Sequence, residues 1–160
     1  SRVLGEVRGS WSHYELTERC IYCDMLEQEK TDKRLTVFSQ DGFTAITPFA
    51  ARFPFETWIL PTAHTASFDK ISDEGLRGLA KVLQATLKKL KKTLGDPAYN
   101  FMIHTEPIHG HVGESFHWHI EIIPHLTEVA GFELGTGFYL IPTPSEIAAK
   151  ILRQSTPDGA

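Results

Sequence analysis

The chain has 160 residues, 41% of them hydrophobic, with a formal net charge of −4 and a pI near 6.0. That is enough for one globular domain over residues 1–160 with a real core. The acidic balance argues against a general nucleic-acid binder, which carries a basic excess, and no apolar run approaches the length of a membrane span. No secretory leader is visible, so a cytoplasmic location is expected. The first residue is Ser1 rather than Met, as expected of a piece of a longer protein.

Residues 1–19 read as a loop followed by a short helix over 12–19. Cys20 and Cys23 follow, and a short helix is expected over 24–29. Residues 34–39 and 43–47 are β-rich, and the Asp41-Gly42 pair between them signals a hairpin. Residues 48–54 form a loop, and 55–60 read as a third strand ended by Pro61. Ser72 caps the longest helix, with Asp73 and Glu74 in its first turn. Leu76, Leu79, Ala80, Leu83, Leu87 and Leu90 recur at helical spacing. Lys88, Lys89, Lys91 and Lys92 lie near its end, where they complement the helix dipole on a solvated face rather than bind phosphate. Gly95 closes it. Residues 99–104 are a fourth strand and 105–115 a loop. After the next strand, residues 126–143 are a glycine-rich connection, 144–153 a last helix, and the tail frays. The order predicts an α+β fold with a mostly antiparallel sheet, a long helix and short flanking helices.

The stretch Phe116-His117-Trp118-His119-Ile120-Glu121-Ile122-Ile123-Pro124 alternates strictly. Period two marks a half-buried strand. One side offers Trp118, Ile120 and Ile122 to a core. The other carries His117, His119 and Glu121, about 7 Å apart as alternate strand residues. A single histidine would read as an exposed or hydrogen-bonded one. A His-x-His-x-Glu row in a chain with eight histidines favours metal or acid–base work.

The two cysteines are too few for a disulfide framework. They read as a metal half-site or a redox pair. Thiolates at x-x spacing suit tetrahedral zinc if histidines complete the shell. A redox pair needs a thioredoxin-like strand–helix setting, which is not evident here. Gly135-Thr136-Gly137 reads as a tight turn before it reads as a phosphate cradle. Trp11, Trp58 and Trp118 are expected in the core.

Several of these stretches resemble a known family. They are Cys20-Ile21-Tyr22-Cys23-Asp24, Phe49-Ala50-Ala51-Arg52-Phe53-Pro54-Phe55-Glu56-Thr57-Trp58-Ile59-Leu60-Pro61, the alternating strand above, and Gly131-Phe132-Glu133-Leu134-Gly135-Thr136-Gly137-Phe138. Together they resemble the second, C-terminal half of galactose-1-phosphate uridylyltransferases, in the histidine-triad superfamily. The resemblance runs from about Ser12 to Arg153. It implies a histidine-triad-like domain. It also implies zinc held by Cys20, Cys23, His64 and His117, with His104 where some members have a further metal-binding histidine.

The family's first half carries its nucleophile in His-Pro-His-x-Gln, and this chain has His117-x-His119-x-Glu121 instead. By position, His119 corresponds to the histidine that becomes uridylylated, and Glu121 stands for the glutamine that orients it. The implied reaction is uridylyl transfer between UDP-glucose and galactose 1-phosphate through a histidine intermediate. The implied partners are a sugar nucleotide, a hexose 1-phosphate, and either a second copy or a catalytic half. Two other readings stand beside it. One is a non-catalytic, zinc-held half whose residues 129–138 resemble the segment reaching a neighbouring subunit's nucleotide. The other is a stand-alone histidine-triad nucleotide hydrolase or sugar-nucleotide phosphorylase.

Overall fold

At the Asp41-Gly42 turn, Asp41 has φ 48° and Gly42 φ 81°. Two successive positive φ values match the twist of the flanking strands, and glycine adopts one at little cost. The turn joins β1 (Thr36–Gln40) to β2 (Phe43–Ile46) with Gln40 opposite Phe43. A computed structural model describes residues 2–108, 112–126, 128 and 130–155. The expected fraying beyond residue 155, and the loop and connection positions Gly110 and Val129, lie outside the described residues.

The remaining elements are α1 (Arg2–Thr17), α2 (Ile21–Asp32), β3 (Thr57–Pro61), α3 (Asp73–Leu94), β4 (Tyr99–His104), β5 (His119–Pro124), α4 (Gly131–Thr136) and α5 (Ser145–Gln154). The strands form one antiparallel sheet in the order β1-β2-β3-β5-β4. β5 is therefore internal and β4 is an edge. The α+β architecture with a mostly antiparallel sheet stands as read. No helix among the described residues is long and apolar enough to cross a membrane.

Each face of the sheet has its own core. On one, Trp118, Ile120 and Ile122 pack with Phe43, Ala45 and Ile59 under Leu79, Val82 and Leu90 of α3 and Ala149 and Leu152 of α5. Ser72 Oγ accepts from Gly75 N and caps α3. A Cβ on Gly78 would meet the Asp41 carbonyl oxygen at 2.8 Å, so a glycine lets α3 lie against the β1–β2 turn. On the other face, Tyr22 and Leu26 of α2 pack with Ile46, Leu60 and Phe116, joined by Val7 of α1.

The second layer corrects the reading of β5. The strand is buried on both faces, and His117, His119 and Glu121 are each 0% exposed. Their side is roofed by α1 and α2, not open to water. α1 itself extends over Arg2–Thr17, well beyond the short helix expected at 12–19. Gly5 and Gly9 weaken a helix in isolation, so packing on the sheet supplies what propensity lacks. α2 is likewise longer than expected, and Gly131–Thr136 is a short helix within the glycine-rich connection. Trp11 is 46% exposed instead of buried. Lys89 is not simply solvated, because its Nζ donates to Leu152 O at 3.1 Å and Ser155 O at 2.6 Å at the end of α5.

Candidate functional site

Cys20 is the N-cap residue of α2, and Cys23 lies in the first turn of that helix. The x-x spacing therefore puts both thiols at one helix end. Asp24 anchors that end. It accepts from His13 Nε2 of α1 at 2.9 Å and Arg19 Nε at 2.5 Å. The His13 bond, aided by Arg19, holds its carboxyl below the ordinary carboxylate range.

His64 follows β3, and His117 precedes β5. His64 Nδ1 lies 3.3 Å and His117 Nδ1 3.6 Å from Cys23 Sγ. The ligand atoms of Cys20, Cys23, His64 and His117 all lie within 4.8 Å of one another. The structure thus brings together all four residues named for a metal.

The second nitrogen of each ring is also committed. His117 Nε2 donates to Pro61 O at 3.0 Å, and His64 Nε2 donates to Gly113 O at 3.1 Å. These bonds orient the rings and leave the Nδ1 lone pairs toward the thiols, as outer-shell partners do for ligating histidines. Burial, with His64 alongside, pulls the His117 imidazole down to about 4, so it is neutral at pH 7. Burial and then Cys20 push the Cys23 thiol up to about 12. A cation entering this cluster would displace the thiol proton. Two sulfurs and two imidazole nitrogens form a closed four-donor set able to hold one metal ion.

The other two residues of the row point into a separate cluster. His119 Nδ1 donates to His117 O at 3.1 Å. Its Nε2 has no hydrogen-bond partner among the described residues and lies 3.8 Å from Glu121 Oε1. His104 Nδ1 donates to Glu6 Oε2 at 2.6 Å, and His104 Nε2 lies 3.6 Å from Glu121 Oε2. Arg52 Nη2 stands 3.7 Å from that same oxygen. A buried carboxylate needs such company, since an isolated charge there costs several kcal/mol. Glu6, His104 and His119 form a second group with ligand atoms within 4.8 Å.

Aromatic rings enclose His119. Trp58 stacks on it at 4.8 Å and 28°, and Tyr22 lies at 5.1 Å. Glu56 fixes Trp58 by accepting from its Nε1 at 2.9 Å, while also accepting from Arg52 N at 2.8 Å. The Phe-Pro-Phe segment is thus tied down by a carboxylate that is 1% exposed. Nε2 of His119 has the lone pair of a base or nucleophile, but the ring has no exposed surface through which a phosphate can reach it. Sequence reasoning missed Glu6, Arg52, Glu56 and the Tyr22–Trp58 roof. Glu6 lay in a stretch read as a loop, and the others carried no periodic signal. His125 belongs to neither cluster and meets Asn100 Nδ2 at 2.9 Å.

A family model described as galactose-1-phosphate uridyl transferase, C-terminal domain, matches residues 8–154. The chain belongs to this family. It is 37% identical over 156 residues to an ADP-glucose phosphorylase of Arabidopsis thaliana, covering 95% of this chain and 42% of that protein. It is 32% identical over 150 residues to a galactose-1-phosphate uridylyltransferase of Thermotoga maritima, covering 89% of this chain and 46% of that protein. It therefore spans less than half the length of these two family members. A crystal structure of the Arabidopsis ADP-glucose phosphorylase with bound ADP-glucose superimposes with TM-score 0.87 at 35% identity, over 96% of this chain and 49% of that one. A zinc-bound histidine triad family protein from Mycobacterium smegmatis superimposes with TM-score 0.60 at 17% identity, over 85% of this chain and 91% of that one, which shows the shared histidine-triad-like fold.

Proposed function

We propose that this chain is the metal-held second half of a sugar-nucleotide nucleotidyltransferase, working beside a half that carries the nucleophile. The observation carrying this reading is the burial of His119, which is 0% exposed under Tyr22 and Trp58. In the whole protein, a histidine of the other half attacks the α-phosphorus of the sugar nucleotide and the hexose 1-phosphate leaves. An acceptor phosphate oxygen then takes the nucleotidyl group from that histidine. The relative named galactose-1-phosphate uridylyltransferase supports UDP-glucose and galactose 1-phosphate as the pair. The relative named ADP-glucose phosphorylase supports an ADP-sugar in the same role.

Within this chain, Cys20, Cys23, His64 and His117 hold one zinc ion as a structural site, because two cysteine sulfurs, bound as thiolates, and two imidazoles are the donor set zinc takes in closed tetrahedral shells. His119 and Glu121 act as positioning residues. His119 fills the space between Trp58 and His104, and Glu121 joins Arg52 to His104.

The test is intact-mass analysis after separate incubation of the chain with UDP-glucose and ADP-glucose. No covalent nucleotidyl adduct is expected from the chain alone. An adduct on His119, lost in His119→Asn, overturns the reading and makes His119 the nucleophile.

The assembly has its own test. On the edge strand β4, Tyr99, Phe101 and Ile103 are 45%, 53% and 40% exposed and share one face. An apolar edge of this kind pairs with another sheet or aggregates. Without the other half, the chain is expected to dimerise at micromolar concentration in light scattering, and Phe101→Glu to shift it to monomer. A wild-type monomer under those conditions rules out self-pairing through β4.

A further inference from the structure

We infer that the cavity between α1, α2 and residues 48–50 binds a flat aromatic ring that carries positive charge and no phosphate. This inference is independent of the proposed nucleotidyl transfer and uses none of the four residues proposed to hold zinc.

The cavity encloses about 530 Å³, within the range of small-molecule sites. Tyr22, Met25, Ile46 and Trp58 line its interior, and Phe49, 76% exposed, stands at its edge. The Tyr22 and Trp58 rings lie 6.3 Å apart and tilted by 44°. Both also pack on His119, so these walls are held from behind. Aromatic and thioether walls select a flat, polarisable ligand.

Its charges select the sign. Among the described residues, Glu6, Glu29, Asp32 and Glu146 line the cavity, with Arg34 as the one cation. Arg34 and Glu146 pair with each other at 2.9 Å, and Glu6 is bonded to His104 at 2.6 Å, so the negative charge of the lining rests on Glu29 and Asp32. Glu29 accepts from Leu35 N and Thr36 N at 2.9 and 2.7 Å, which fixes it in place. The surplus of fixed carboxylates repels a phosphate and attracts a cation. Aromatic faces add cation–π attraction.

A second observation comes from α1. Gly9 lines the cavity from the middle of that helix, and a Cβ built on it meets nothing within 4 Å. Glycine weakens a helix interior, and no close packing requires one here. Its effect in the fold is to leave the α1 side of the cavity open.

The probe is proflavine, a flat monocation, titrated into the chain and followed by its fluorescence anisotropy. One saturable site per chain is expected. Anthracene-9-carboxylate, a flat anion of similar size, is expected to bind at least about ten-fold more weakly. Gly9→Leu places a side chain in the cavity while removing a helix-weakening residue, and is expected to lower proflavine affinity at least about ten-fold, a difference of about 1.4 kcal/mol. Circular dichroism and metal content should not change. Phe49→Ala, at an exposed position, is expected to weaken binding several-fold and serves should Gly9→Leu fail to fold. No saturable proflavine binding, equal binding of the anion, or undiminished affinity in the folded variants overturns the inference.

Discussion

Replacing Cys20 with Ser, or stripping metal with a chelator, is expected to lower the thermal midpoint of the chain by more than about 10 °C. The four candidate ligands come from three distant points of the sequence. Cys20 and Cys23 start α2, His64 follows β3, and His117 leads into β5. One ion would tie the α2 layer to the sheet at the place where α2 roofs His119. Structural zinc binding is coupled to folding, with apparent free energies of about 10–16 kcal/mol in small zinc-finger peptides. A packed domain retains part of its fold without the ion, so a smaller loss, about 5 kcal/mol, is the expectation. At roughly 2–4 °C per kcal/mol for a chain of this size, that gives a fall of about 10–20 °C. Calorimetry of the loaded and stripped chain, with metal analysis of both, measures it. An unchanged midpoint in a protein free of metal would exclude a structural ion at these residues.

Features with a local signal were legible in the sequence. The period-two run at residues 116–124 assigned Trp118, Ile120 and Ile122 to a core, and they pack there under α3 and α5. Asp41-Gly42 predicted the hairpin, and Ser72 and Gly95 marked the ends of α3. Burial of the second face was not legible, because it depends on a helix whose sequence contains Gly5 and Gly9 and shows no clean apolar stripe. Misreading α1 hid Glu6, whose bond to His104 spans 98 positions. The Cys pair and the His-x-His row were visible by residue type. His64, 41 positions from Cys23, could be joined to them only through family resemblance. Gly131 and Gly135 suggested a connection without regular structure, yet Glu133 Oε2 accepts from Ala130 N at 3.2 Å and helps start that segment as a short helix.

The stripped chain is further expected to lose roughly 3 kcal/mol of stability as the pH falls from about 6.5 to about 4. Burial, reinforced by His64, depresses the folded-state value of His117 to about 4 from the ordinary 6.5. The sign follows from proton counting. Between those values the unfolded chain has taken up a proton on this ring and the folded chain has not, so acid favours unfolding. The contribution is complete above 6.5, declines as the pH falls, and is gone below 4. His117 is 0% exposed, so solvent screening does little to reduce the effect. The His117→Asn chain, also free of metal, lacks the ring and should show a shallower decline over the same window. That difference separates His117 from the general acid sensitivity of the carboxylates. Urea midpoints at pH 7, 6, 5 and 4.5, taken near 15 °C where stability is near its maximum, give both curves. Parallel curves would mean that His117 accepts its proton in the folded chain as readily as in the unfolded one, and that Nδ1 is not held as a neutral donor facing Cys23.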